Sequence, residues 1–216
     1  MAKKKVIAYI DGFNLFYSCL KGRPHLKWLD LVKLCESYLQ PDQELVAVKY
    51  FSAYISAFNG DLSHVNKQHA YIEALRATPK IDVRLGFFSI KRVRMPQADD
   101  FFINGKITPT EVAKTEEKGT DVNLAVQLVA DAFHNRFDYA MLFSNDSDMA
   151  HAVRIAAKDC GKRIGLYVDR KATSHQVLRE NINYIGRVTP TILAKCQFPN
   201  IVKLKNGAIV TKPKDW

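Results

Sequence analysis

Short β-branched apolar runs that alternate with helix-period segments constrain this chain more than any other feature of its sequence. VIAYI (6–10), LVAVKYFSAY (45–54), IDVRLGFFSI (81–90), YAMLF (139–143) and RIGLYV (163–168) read as five strands. Between them, Asp30–Leu39, Asp61–Ala77, Thr120–Phe133 and Met149–Lys158 place apolar residues at helical spacing. The first strand is apolar without a break, which is the pattern of a strand buried on both faces. Strand–helix alternation of this kind needs right-handed crossovers and gives an α/β fold, a mostly parallel sheet with helices on both faces. Thr120–Phe133 is apolar almost all round (Val122, Leu124, Val126, Leu128, Val129), so it is expected to be largely buried.

The remainder of the chain is less regular. Residues 91–118 are polar, with a short hairpin expected over 101–107 around Asn104-Gly105. Residues 198–211, FPNIVKLKNGAIVT, flank Asn206-Gly207 with apolar residues and predict a second hairpin. We therefore expect a main domain over 1–170 and a C-terminal extension over 171–216 packed on the same domain.

Composition narrows the function classes. The 32 Lys and Arg against 22 Asp and Glu leave the chain at +10, a surplus that attracts polyanions. No apolar run approaches the roughly 18–20 residues needed to span a bilayer. There is no basic amphipathic helix with an aromatic face, so no membrane partner is expected. The start, MAKKKVIAYID, is too short in its apolar stretch for a signal segment and fits a strand. A cytoplasmic protein is expected. Cys19, Cys35, Cys160 and Cys196 are widely spaced with no C-x-x-C pair, and read as reduced thiols.

The aspartates carry the chemistry. In open α/β sheets ligands bind beyond the carboxyl ends of the strands, where the strand order switches. Two strands end there in aspartate, YID at Asp11 and FSND at Asp146; Asp148 enters the next helix and Asp121 opens the helix after EKGT. Like charges collected in one place need a cation to offset their repulsion. Hard carboxylate oxygens select magnesium or manganese. Such a metal can activate water against a phosphodiester. Each aspartate also has a plainer reading, as a turn residue or a helix cap. Asn14 either orients a water or phosphate or is simply polar on an exposed face. Asp131 and Asp138, flanking HNRF, read as solvent or capping residues.

Other chemistries lack their motifs. There is no G-x-G-x-x-G after the first strand, no Walker A run, no G-x-S-x-G and no H-E-x-x-H. Two basic features fit a phosphate partner. Lys91, Arg92 and Arg94 lie close to Phe87 and Phe88 and could grip phosphates while a ring stacks a base; alternatively they are the charges of an edge strand. Lys118 precedes Asp121 by three residues and could approach a scissile phosphate, or it could be a solvated loop lysine.

Three segments, IDGFNLFYS (10–18), EKGTDVNLAVQLVADAF (117–133) and YAMLFSNDSDMAHAV (139–153), together resemble the NYN domain of the PIN-like nuclease superfamily. The tail through 178–200 is similar to the same group. The resemblance implies a Rossmann-like sheet and cleavage of RNA dependent on Mg2+ or Mn2+. It places the family's acidic site on Asp11, Asp121, Asp146 and Asp148, with its opening asparagine on Asn14. The implied partner is RNA, including single-stranded RNA; a homo-oligomer is compatible with this reading. Two other functions stay open: an RNA-binding module without turnover, and a phosphatase or DNA nuclease using the same site.

Overall fold

In a computed structural model of the protein, residues 2–56, 62–96, 109–169 and 176–216 are described. The expected hairpin over 101–107 lies outside these residues. The chain begins with β1 (Lys4–Asp11), which runs into the short helix α1 (Gly12–Leu15) and a wider π turn over Phe16–Leu20. Then follow α2 (Leu31–Glu36), β2 (Gln43–Ala53), α3 (Ser63–Ala77), β3 (Ile81–Pro96) and β4 (Pro109–Lys118). The second half holds α4 (Thr120–Phe133), β5 (Tyr139–Phe143), α5 (Ala150–Arg154), β6 (Arg163–Asp169), α6 (Gln176–Arg179), β7 (Tyr184–Val188) and α7 (Pro190–Lys195). The hairpin expected around Asn206-Gly207 forms from β8 (Ile201–Lys203) and β9 (Ile209–Thr211), with Gly207 at φ 85° in its turn.

Seven strands form one sheet in the order β4-β3-β2-β1-β5-β6-β7. All neighbours pair parallel except β3 and β4. The order turns back at β1, because β2 pairs with one of its edges and β5 with the other. Side chains alternate along β1, with Val6, Ala8 and Ile10 in one core layer and Ile7 and Tyr9 in the other. Both faces of the strand are therefore buried, as its unbroken apolar run requires. The sheet runs on past residue 170, since β7 pairs with β6 along Gly165–Asp169. The tail beyond it packs under the first layer. Trp28 Nε1 donates to Pro199 O at 2.8 Å, and Phe198 N donates to Trp28 O at 2.9 Å.

Two expectations are corrected. α4 is not buried all round: Val122, Val126 and Phe133 are 65, 62 and 78% exposed, and Val126 and Phe133 line an open hollow between α4 and α5. Lys91–Arg94 lie where β3 has left the parallel sheet after Gly86 and pairs with β4 alone, so among the described residues this part of β3 keeps one open edge, as the edge-strand reading requires. Asp131 is neither a solvent nor a cap residue but is fully buried. It accepts from Tyr9 Oη at 2.7 Å, Lys49 Nζ at 2.5 Å, Gln127 Nε2 at 2.7 Å and Arg136 at 2.9 Å. Burial would raise its pKa, but the hydrogen bonds from Lys49, Tyr9 and Arg136 outweigh that and hold it below the usual value. Asp138 accepts from Lys5 N at 2.7 Å and so ties the start of β1 to the segment before β5. All four cysteines are free thiols.

Candidate active site

Where the strand order turns back, β1 and β5 diverge into different crossovers and leave a crevice at their carboxyl ends. It is a cleft of about 640 Å³ lined by Asp11, Asn14, Asp121 and Asp146, with Phe13 and Phe88 at its walls. The local structure at each residue has a simple cause. Asp11 ends β1 and caps α1, its Oδ1 accepting from Asn14 N at 2.9 Å. Its other oxygen accepts from the buried Ser144 hydroxyl at 3.2 Å. Asn14 Oδ1 accepts from Asn145 N at 3.1 Å, which ties α1 to the segment after β5. Asp146 caps the turn Ser147–Met149 by accepting from Asp148 N at 3.0 Å. The capping and the functional readings of these residues are thus compatible, since each cap occupies only part of a carboxylate.

Charge in the cleft is held under tension. Burial pushes Asp11 up to about 6, against the hydrogen bonds from Asn14 and Ser144, with Asp121 and Asp146 adding repulsion. Asp121 is also raised, first by burial and then by Asp146, Glu117 and Asp148. Three carboxylates from three separate segments therefore share one field.

The other expected residues are placed differently. Asp148 is exposed and lines a neighbouring hollow between α4 and α5, near enough to raise Asp121. Lys118 is not brought to the carboxylates. Along β4 the side chains alternate, so Glu117 turns into the cleft while Lys118 pairs with Glu116 at 2.7 Å on the opposite face. Lys114 and Lys118 together hold Glu116 down to about 2. The same alternation on β3 sets Arg92 and Arg94 on the face of Phe88, which lines the cleft, and Lys91 on the face of Phe87. Arg92 lies 3.5 Å from Glu111 across the ribbon.

Sequence reasoning missed Asp169 and Glu117, both of which line the cleft. Asp169 had a legible signal: it ends LYVD on β6, as Asp11 ends YID on β1. It lies 3.7 Å from Arg23, which offsets its charge. Glu117 accepts from Thr120 N at 3.1 Å and from its hydroxyl, fixing the entry of α4.

The donor set suits a hard divalent cation. Among the described residues no three His, Cys, Asp or Glu side chains stand as a ready-made ligand cage. Magnesium does not need one, because it binds through one or two carboxylates and keeps several waters. Asp11, Asp121 and Asp146 fit that mode. No helix among the described residues is long and apolar enough to cross a membrane.

Comparisons with known proteins agree on the fold and are less uniform on activity. A curated relative, the 6-hydroxy-3-succinoylpyridine 3-monooxygenase of Pseudomonas putida, is 30% identical over 237 residues, covering 96% of this chain and 74% of that protein. A solved structure of a protein of unknown function from Vibrio parahaemolyticus has a TM-score of 0.53 at 17% identity, covering 87% of this chain and 94% of the other. It shares the fold. The family model for the NYN domain matches residues 5–186, a span that takes in β1 from its second residue, every strand from β2 through β6 and the whole acidic cleft. The chain belongs to the NYN domain family, part of the PIN-like nuclease superfamily.

Proposed function

We propose that this protein is a metal-dependent ribonuclease that hydrolyses RNA phosphodiester bonds in the cleft at the turn of its sheet. The observation that carries this reading is the convergence of Asp11, Asp121 and Asp146 from three elements, with Asp11 raised to about 6. Those three carboxylates would hold Mg2+ or Mn2+, with Asp148 beside them. A bound cation of this kind supplies charge against the developing negative phosphate and lowers the pKa of a bound water. The chain's own groups do the rest. The Asn14 backbone N–H and the Ser144 hydroxyl fix the Asp11 carboxylate, and Phe13 and Phe88, edge to face at 5.8 Å, offer ring surface to a base. Arg92 and Arg94 on the ribbon face beside Phe88 would draw in the backbone.

The test is to incubate end-labelled RNA and DNA with the protein in Mn2+, Mg2+ or EDTA, beside Asp146→Asn. RNA cleavage that EDTA and the substitution both abolish is expected. No cleavage in either metal would remove the reading. A second reading is favoured by the name of the Pseudomonas relative and by an apolar cavity next to the cleft. It is oxygen insertion into a small heteroaromatic ring, in which O2 would give one atom to the ring and one to water at the expense of two electrons from a reductant. Oxygen uptake on adding a hydroxypyridine and a reductant would favour it over nuclease action.

A further inference from the structure

Behind the acidic cleft, between the first helical segment and α3, lies a second cavity of about 290 Å³. The two are neighbours through shared walls, since Phe13 and Tyr17 line both. The spacing along the helical segment explains the division. Phe13, Phe16, Tyr17 and Leu20 recur at helical intervals toward the cavity, while Asn14 and Ser18 face the cleft. Gly12 allows the two to lie so close. A Cβ there would stand 2.5 Å from the Tyr50 hydroxyl and 2.9 Å from Phe51 O, so no larger residue fits between Asp11 and the cavity wall.

The lining is aromatic with a few polar groups. Tyr50, Tyr71 and Trp216 follow one another around it, with ring centroids 6.4 and 6.1 Å apart. Lys27 lies 5.3 Å above Phe16 and 5.8 Å above Trp216. The Tyr50 and Ser52 hydroxyls are buried at the inner end, and His64 is exposed at the mouth. A small, enclosed apolar site with a few fixed polar groups is the form of a ligand pocket, and its volume lies at the lower end of the usual ~300–1,000 Å³. Flat ring walls select a flat ring as occupant.

We infer that this cavity binds one planar nitrogen heteroaromatic ring and leaves the rest of that molecule to reach past Phe13 and Tyr17 into the acidic cleft. The inference rests on the cleft being the reaction site. The ring belongs either to a nucleobase next to a scissile phosphate or to a free hydroxypyridine; the chemistry of the pocket is the same for both. Tyr50 and Ser52 would meet its polar edge, and Phe16, Tyr71 and Trp216 its faces.

Calorimetric titration of the intact protein in EDTA with uridine 5′-monophosphate, adenosine 5′-monophosphate and 6-hydroxynicotinate tests this without any turnover. At least one should bind, with saturation at a single site. Ile55→Trp, at the pocket rim, should weaken that binding at least tenfold, and Tyr50→Phe should weaken it severalfold. Both variants are first checked for wild-type melting. Asp146→Asn should bind the ring at least as tightly as wild type, because it removes a negative charge near the ligand's anionic group, so loss of cleavage in that variant speaks to the cleft and not to the pocket. Binding of nucleotides alone assigns the ring to RNA; binding of 6-hydroxynicotinate alone assigns it to a free hydroxypyridine. The inference is overturned if none of the three binds, or if Ile55→Trp, folded, binds as tightly as wild type.

Discussion

Asp11 concentrates the chemistry of the molecule in one carboxylate. It is 5% exposed, and its ionised form is disfavoured first by burial and then by two neighbouring carboxylates. A shift from 3.8 to about 6 corresponds to roughly 3 kcal/mol between the two protonation states. The folded pKa lies above the unfolded one, so the penalty is absent below about pH 4 and complete above about pH 6. In EDTA, Asp11→Asn should therefore melt at a higher temperature than wild type at pH 7.5, and the two should converge near pH 4. Asparagine keeps an oxygen for the Asn14 N–H, and its amide NH2 can donate to the Ser144 hydroxyl in the reversed sense, so both contacts can persist. The thermal melt in a pH series decides this; a variant less stable than wild type at pH 7.5 in EDTA would mean the carboxylate is a net support.

At the scale of elements, Asp131 joins three of them. Its carboxylate ties α4 to Tyr9 on β1 and Lys49 on β2, at the centre of the second core layer. Removing one partner of a buried ion pair leaves the other charge uncompensated, at about 3–5 kcal/mol. Asp131→Ala should lose that much in urea unfolding, and Asp131→Asn should recover little, because Lys49 still lacks a counter-charge. The folded pKa is below the unfolded one, so this support is present above about pH 4 and lost as pH falls further, through the folded value. A loss below about 1 kcal/mol would make the network incidental. Composition of the turn could not have revealed this residue. Asp131 sits two residues from the end of a helix, where an exposed aspartate is ordinary, and only the packing of β1, β2 and α4 exposes the need for it.

Across the whole molecule, the surplus of ten positive charges is a field, and the ribbon of β3 and β4 gives it direction. Arg92 and Arg94 share the face of Phe88 at the cleft, whereas Lys91 points to the other side. For single-stranded RNA, each lost phosphate contact should flatten the log–log salt dependence by about 0.7. The Arg92→Ala, Arg94→Ala double variant should thus lose about 1.4 from its slope, and Lys91→Ala should lose little. Binding measured from low to moderate salt separates them. Equal slopes in all three proteins would move RNA capture off the ribbon.

How far the sequence reached follows from what is local and what is not. The five strands and the helices between them were legible because burial on two faces or one imposes a period on neighbouring residues, and the hairpin at Asn206-Gly207 because a turn is chosen by its own two residues. Asp11 and Asp146 were legible for a related reason: each ends an apolar run, and the chain's order places such ends on one rim. β7 escaped, since at the sheet's margin its YIGRV is interrupted by Gly186 and Arg187 and makes no unbroken apolar run of the kind that marks β5. Lys118 was misjudged because the pattern did not reveal that EEK ends a strand, where a shift of one residue reverses the face. The burial of Asp131, the outward face of α4 and the ring-lined cavity were decided by tertiary structure alone. Each depends on which surfaces meet across the sheet, and residues as distant as Phe16 and Trp216 become neighbours only when the layers close.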